Sequence, residues 1–123
     1  MKNILPLIIF LYMFTACSQK EAQVKNDFII ATGQMPNAAV DKHNTVHLVY
    51  GSGDSILYCY SSDNGSTFSK PLLISVLPHV YTFAMRGPQI AVTDMGVLIT
   101  ACTTQGNIHS FYKDNVSSWK QGN

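Results

Sequence analysis

The sequence predicts an all-β protein, and three observations lead to this fold class. After residue 27, short runs rich in Val, Ile, Tyr, Phe and Thr alternate with clusters of turn residues, as in strands joined by tight turns. The apolar positions of these runs show no helical period. A segment of about 50 residues also occurs twice, which is the length of a four-stranded repeat unit.

The N-terminal residues predict export. Lys2 precedes an apolar run over residues 4–14, which is shorter than the about 20 residues that span a bilayer. The following "FTAC" resembles the lipobox of bacterial lipoproteins, which implies that Cys17 is lipidated and becomes the first mature residue. We therefore expect a signal peptide over residues 1–16 and a polar tether over residues 17–27. A cleaved signal peptide with an incidental cysteine is the alternative.

The remaining chain, residues 28–123, is long enough for one modest core. The predicted strand runs are residues 27–32, 37–41, 45–51, 55–61, 67–75, 88–93, 97–104, 108–112 and 118–123. Cys59 and Cys102 lie within apolar runs, so we expect buried free thiols, with a disulfide as the alternative in an exported protein.

An internal repeat gives the architecture. With one deletion, the two copies align at a period of 51 to 52 residues, which is typical of four-stranded β-propeller blades. The matched positions include Pro36 with Pro88, Val46 with Val97, Asp63 with Asp114, and Phe68 with Trp119. One such sheet cannot bury both of its faces, so each blade must stack on its neighbours. We expect about two antiparallel blades.

A polar motif between two strand runs makes the assignment more specific. It is the pattern S-x-D-x-G-x-T-F, formed by Ser61, Asp63, Gly65, Thr67 and Phe68. The second copy keeps Asp114, Ser118 and Trp119 but has Val116 in place of the glycine. This pattern resembles the Asp-box of the sialidase (BNR-repeat) β-propeller superfamily, and the resemblance extends from about residue 38 to the C-terminus. It implies a six-bladed propeller directed at sialoglycans.

The residues of the motif predict a structural turn. An Asp side chain accepts hydrogen bonds from amides two or more residues ahead, and Gly65 allows a positive φ. Phe68 is expected to bury its ring between sheets. A calcium loop of the EF-hand type is the rival interpretation, but it requires several acidic ligands and this motif has one carboxylate. In the family the motif lies on the rim, away from the catalytic pocket.

The catalytic set implied by the resemblance is incomplete in this sequence. Sialidases of this family use three arginines, a Tyr–Glu pair and an acid/base aspartate, whereas Arg86 is the one arginine here. "MRGP" over residues 85–88 resembles the motif that supplies the first arginine, so Arg86 is a candidate substrate-binding residue or a structural one. The hairpin over residues 101–110 contains no Arg or Asp, and Glu21 is the one glutamate. The catalytic residues stay unassigned.

Other partners and cofactors are not indicated. The formal charge is +1 and the lysines are scattered, which excludes a nucleic-acid footprint. His43 and His47 give a loose H-x-x-x-H, but one lies in a predicted turn and the other in a strand, so no metal site is predicted. No cofactor is expected.

Two functions stay open at the sequence level. One is an exo-sialidase-type glycosidase, anchored by its lipid to a bacterial membrane at the periplasm or cell surface, with its remaining groups in further blades. The other is a non-enzymatic propeller that binds glycan or protein. Because about 100 residues supply only two blades, we expect a truncated piece of a longer protein or pairing with another copy.

Overall fold

The computed structural model describes residues 28–115 and 117–122 and confirms the all-β prediction. Eight strands form two four-stranded antiparallel sheets, each with its strands in sequence order. The first sheet contains β1 (Gln34–Val40), β2 (Val46–Ser52), β3 (Ser55–Ser61) and β4 (Leu72–Val76). The second sheet contains β5 (Gln89–Thr93), β6 (Gly96–Cys102), β7 (Ile108–Asp114) and β8 (Lys120–Gln121). Each sheet corresponds to one copy of the sequence repeat, and the propeller itself stays a prediction.

The core lies between the two sheets and follows from the alternation of side chains along each strand. The first sheet contributes Val49, Ile56 and Tyr58, and the second contributes Ile99, Ala101 and Phe111. Val80, in the connection between β4 and β5, completes this cluster. In each sheet the central hairpin supplies the buried residues, because its two strands are flanked on both sides.

The sheets meet along β1 and β5, which run side by side in the same direction. Three pairs of residues mark this contact, and the partners of each pair are 52 or 53 positions apart in sequence. They are Met35 with Gly87, Asn37 with Ile90, and Lys42 with Asp94. Because contacts between the sheets join positions one repeat period apart, the second sheet is a displaced copy of the first.

One predicted strand is wrong. Residues 28–32, the described part of the predicted strand 27–32, form no strand, and neither does residue 33. Their β-branched composition favours an extended chain, but a strand also needs a hydrogen-bonded neighbour. This segment instead crosses the face of the first sheet that points away from the second, where it lies beside Leu48 and Tyr50.

The structure describes the two cysteines of the fold but not the residues of the predicted membrane anchor. Both cysteines are free thiols; Cys59 is buried, as expected, whereas Cys102 is half-buried rather than buried. The predicted signal peptide, lipidated Cys17 and tether lie outside the described residues. Within residues 28–115 and 117–122 there is no helix with the length and apolar character needed to cross a membrane.

Candidate functional site

The antiparallel topology sorts the loops onto two opposite edges of the paired sheets. The turns after β1, β3, β5 and β7 share one edge, which we call the Asp-box edge because the motif of residues 61–68 follows β3. The hairpins after β2 and β6 and the connection after β4 share the other edge. This second edge carries Arg86, and we call it the Arg86 edge. The two sequence motifs are therefore on opposite sides of the fold.

The Asp-box residues form a closed hydrogen-bonded turn. Asp63 Oδ1 accepts from the Thr67 backbone N–H at 2.8 Å, and Oδ2 accepts from the Thr67 hydroxyl at 2.6 Å. The buried Ser61 hydroxyl donates to Asp63 Oδ1 at 2.7 Å and accepts from the Gly65 N–H at 2.8 Å. Gly65 has a φ of 83°, which a glycine adopts without steric cost. Every polar group of Asp63 is thus used within the turn.

The electrostatics of Asp63 agree with a structural role. Hydrogen bonds from the Thr67 side chain and backbone, followed by that from Ser61, lower the pKa of Asp63 below its usual value. These donors favour the ionised carboxylate. A carboxylate held in this way by local donors has little capacity left for substrate or metal.

The aromatic residue of the motif does not lie where it was predicted. Phe68 packs against Phe28 with ring centroids 6.4 Å apart, rather than between the two sheets. Its counterpart Trp119 does pack between the sheets, edge-on to Tyr58 at 5.1 Å. The difference arises because the second sheet has the first beside it, whereas the first sheet has only the segment from residue 28 onward on that side.

The second copy of the motif keeps part of the same turn. Asp114 Oδ1 accepts from the Ser117 backbone N–H at 2.6 Å. Val116, which replaces the glycine, lies outside the described residues. The Ser117 hydroxyl and the Trp119 indole N–H are buried, and neither has a hydrogen-bond partner among the described residues. The degenerate copy therefore has two buried polar groups without a hydrogen-bond partner among residues 28–115 and 117–122.

Arg86 ends a strained turn on the opposite edge. Its backbone N–H donates to the Phe83 carbonyl oxygen at 3.0 Å, which closes a tight turn. The two central residues, Ala84 and Met85, have φ values of 52° and 62°. Left-handed backbone is unfavourable for residues with a Cβ, and such strain is concentrated at ligand and active sites.

Aromatic side chains support the Arg86 guanidinium. It lies over the Tyr81 ring at 5.1 Å from the centroid, and Tyr81 in turn contacts Phe83 at 5.2 Å. Arg86 and Phe83 are exposed. Among residues 28–115 and 117–122, no carboxylate forms an ion pair with Arg86. The fork of this guanidinium is therefore available to an external anion.

The neighbouring hairpins supply no acid beside this arginine. The hairpin that joins β6 to β7, residues 103–107, contains no acidic residue. Asp54, in the hairpin between β2 and β3, has a structural role, because its Oδ1 accepts from the His79 N–H at 3.1 Å and its carbonyl accepts from the Leu77 N–H at 2.7 Å. Glu21 lies outside the described residues.

A buried polar network near the Asp-box edge was not predicted from sequence. His47 Nδ1 is 2.7 Å from the Tyr58 hydroxyl, and its Nε2 is 3.3 Å from Asp41 Oδ2. Asp41 Oδ1 also accepts from the Thr45 and His43 backbone N–H groups, at 2.9 and 2.8 Å. The Thr45 bond is the main cause that lowers the pKa of Asp41 to about 2. The alternation that assigned His47 and Tyr58 to strands gave no sign of this contact.

No metal site is found in the described part of the chain, where no three potential ligands cluster. His47 is bound to Tyr58 and Asp41 rather than to His43, so the loose H-x-x-x-H pattern does not become a shared site.

The chain matches no protein-family model, no curated protein and no solved structure.

Proposed function

We propose that this chain is part of an exported, lipid-anchored, sialidase-like propeller, and that its Arg86 edge binds an acidic glycan. The observation that carries the proposal is the exposed Arg86 guanidinium, which lies over Tyr81 with no carboxylate partner among the described residues. The sugar that suits this arrangement carries a carboxylate, as sialic acid does. The Asp-box motif and the placement of Arg86 before β5 support the sialidase-like assignment.

The chemistry of the edge suits such a ligand. A guanidinium binds a carboxylate through two parallel hydrogen bonds, which fixes the orientation of the acid. The Tyr81 ring restrains the guanidinium plane, and the exposed Phe83 ring offers an apolar surface to a sugar. The strained turn at Ala84 and Met85 holds these groups next to one another.

Recognition is favoured over hydrolysis for the residues of this chain. Glycoside hydrolysis needs an acid beside the scissile bond, and the adjacent hairpin over residues 103–107 has none. A sialidase-type hydrolase is the second candidate, and the Arg-x-Pro pattern at residues 86–88 favours it. That activity would require two more arginines, an acid and a Tyr–Glu pair from outside these residues.

Calorimetric titration with sialyllactose tests the binding proposal, with lactose as the matched neutral ligand. Arg86→Ala is expected to weaken sialyllactose binding on the order of 10- to 100-fold, since a hydrogen bond to a charged group contributes about 1.5–3 kcal/mol. Arg86→Lys should recover part of this loss, because it keeps the charge but not the fork. Lys70→Ala removes an exposed cation after the Asp-box and serves as the control. Equal affinity for the two sugars would refute the proposal.

Two further measurements test the other parts of the proposal, which are catalytic activity and lipid anchoring. Cleavage of a fluorogenic sialoside by the full-length product of the gene would favour the hydrolase over the binding protein. For the anchor, Cys17→Ser is expected to move the protein from the membrane fraction to the soluble fraction, and mass spectrometry of the mature N-terminus should find the lipid on Cys17. A mature N-terminus at another residue would refute lipidation.

A further inference from the structure

The Asp-box turn contains the one Asn-Gly pair of the sequence, Asn64 and Gly65. The Ser66 N–H donates to the Asp63 carbonyl oxygen at 3.3 Å, so Asn64 and Gly65 are the central residues of a tight turn. Their φ values are 57° and 83°, and a type I′ turn requires a positive φ at both central positions, for which Asn-Gly is the preferred sequence. The turn therefore selects this pair for its backbone conformation.

The same pair is the asparagine sequence most prone to deamidation. The backbone nitrogen of the next residue loses its proton and bonds to the asparagine side-chain carbon Cγ, and the bond from Cγ to the amide nitrogen breaks. Ammonia leaves with the displaced proton, and water then opens the cyclic imide to aspartate or isoaspartate. Glycine favours the reaction because it has no Cβ to hinder the approach of its nitrogen. Asn64 is exposed and the space beside the Gly65 Cα is open, so packing by the described residues does not shield the pair.

A buried hydroxyl holds the nitrogen that would attack. The Gly65 N–H donates to Ser61 Oγ at 2.8 Å, and Ser61 is 1% exposed. Ser61 Oγ in turn donates to Asp63 Oδ1 at 2.7 Å, which fixes the orientation of the hydroxyl. Attack requires the Gly65 nitrogen to give up this bond, to lose its proton and to approach the Asn64 side chain. The hydroxyl therefore opposes both the chemical step and the change of geometry.

The second copy of the motif lacks the serine and the glycine together. It has Tyr112 at the position of Ser61 and Val116 at the position of Gly65, so Asn115 is followed by a β-branched residue. A branched side chain hinders attack by its own backbone nitrogen. In this chain the hydroxyl is thus present in the copy that carries the labile pair and absent from the copy that does not.

We propose that Asn64 is a deamidation site that the Ser61 hydroxyl protects in the folded protein. Isoaspartate at this position would insert a methylene group into the backbone of the turn and displace Thr67, whose N–H and hydroxyl both bind Asp63. Deamidation during an opening of the turn would therefore prevent the motif from closing again. Ser61 has this chemical role in addition to its role in the fold, and the role does not depend on glycan binding at Arg86.

Peptide mapping by mass spectrometry tests the protection, during incubation of the full chain in warm, mildly alkaline buffer. It follows the asparagine, aspartate and isoaspartate forms at position 64, and a synthetic peptide of residues 60–70 gives the rate of the unprotected pair. The wild-type chain is expected to react on the order of 10-fold more slowly than the peptide, because more than one hydrogen bond must open. Ser61→Ala removes the acceptor and should accelerate the reaction of the chain on the order of 5-fold, the effect of one hydrogen bond.

Two controls separate local protection from overall stability. Ser62→Ala changes the exposed neighbouring serine, and Asn37→Ala weakens the contact between the sheets; both should react at position 64 at the wild-type rate. Circular dichroism checks that every variant keeps its β-structure. Equal rates in the wild-type chain and the peptide overturn the proposal, as does a folded Ser61→Ala chain that reacts at the wild-type rate or no faster than Asn37→Ala. Hydrogen exchange at the Gly65 amide needs no substitution, and exchange as fast as in the peptide also overturns it.

Discussion

Trp119, which precedes the last strand of the second sheet, packs edge-on against Tyr58 of the first sheet, with ring centroids 5.1 Å apart and planes at 68°. Edge-to-face aromatic pairs contribute about 0.5–1.5 kcal/mol beyond the area they bury. This contact links the degenerate Asp-box to the core of the other sheet. In this second copy the aromatic position therefore joins the two sheets, whereas in the first copy Phe68 packs against Phe28 instead.

Replacement of this indole should loosen the pairing of the sheets. Trp119→Ala is expected to lower the free energy of unfolding by about 2–4 kcal/mol, less than for a fully buried aromatic because Trp119 is half-buried. Phe68→Ala should cost less, since its partner Phe28 is itself about half exposed. Urea unfolding followed by circular dichroism measures both. Equal losses in the two variants would contradict the difference in packing.

A side-chain hydrogen bond fixes the register of the two sheets. Asn37 Oδ1 accepts from the Ile90 backbone N–H at 2.9 Å, and this amide is partly buried. Asn37→Ala leaves it without that acceptor and should cost about 1–3 kcal/mol in unfolding free energy. Gln105→Ala, at an exposed hairpin position, is the control and should change stability by less than about 0.5 kcal/mol. Hydrogen exchange at the Ile90 amide should also become faster in Asn37→Ala, and unchanged protection would contradict the assignment.

The sequence predicted the elements whose signal is local. The run over residues 55–61 coincides with β3, because alternation and a tight turn are both encoded within a few positions. Contacts of Asn37, Phe68 and His47 depend on partners that lie from 6 to 53 positions away, and no short pattern encodes them. The repeat alignment makes Phe68 and Trp119 equivalent in sequence, yet their partners differ because their neighbours differ. At the candidate site, the sequence indicated Arg86. It gave no sign that the Tyr81 ring lies beside the guanidinium or that Tyr81 contacts Phe83.

Gly96 is the glycine whose backbone requires the absence of a side chain most strictly. Its φ is 148°, and a Cβ there would collide with the Lys113 carbonyl oxygen across the hairpin. Gly96→Ala must move backbone and should cost more than about 2 kcal/mol. Gly106→Ala is a matched control: it too has a positive φ, 85°, but open space around the added methyl group, and should cost about 1 kcal/mol. Thermal unfolding should rank the two variants in this order, and the reverse order would contradict the clash.

Acid should destabilise the protein partly through Asp63. Its pKa is lowered in the folded state from the ordinary 3.8, so its contribution to stability is present above about pH 4 and is lost as the pH falls through the folded pKa. Asp63→Asn is therefore expected to lower stability at pH 7 and to make the decline below pH 4 less steep. Ser62→Ala, an exposed neighbour, is the control. Urea midpoints measured from about pH 2 to 7 provide the comparison, and an identical acid slope in Asp63→Asn and wild type would refute it.

The Asp41 carboxylate should set the tautomer of His47. Because the pKa of Asp41 is lowered to about 2, mainly by the Thr45 backbone hydrogen bond, this carboxylate can only accept at neutral pH, so in the neutral imidazole the proton lies on Nε2 and is donated to Asp41 Oδ2 at 3.3 Å. Nδ1 is then an acceptor for the Tyr58 hydroxyl 2.7 Å away, which keeps its proton because burial raises the pKa of Tyr58. Nitrogen-15 chemical shifts of the ring should show the Nε2–H tautomer. Tyr58→Phe removes the donor, leaves Nδ1 without this bond, and should cost about 1–2 kcal/mol in unfolding free energy. An Nδ1–H tautomer in the wild-type protein would show that the donor and acceptor roles are reversed.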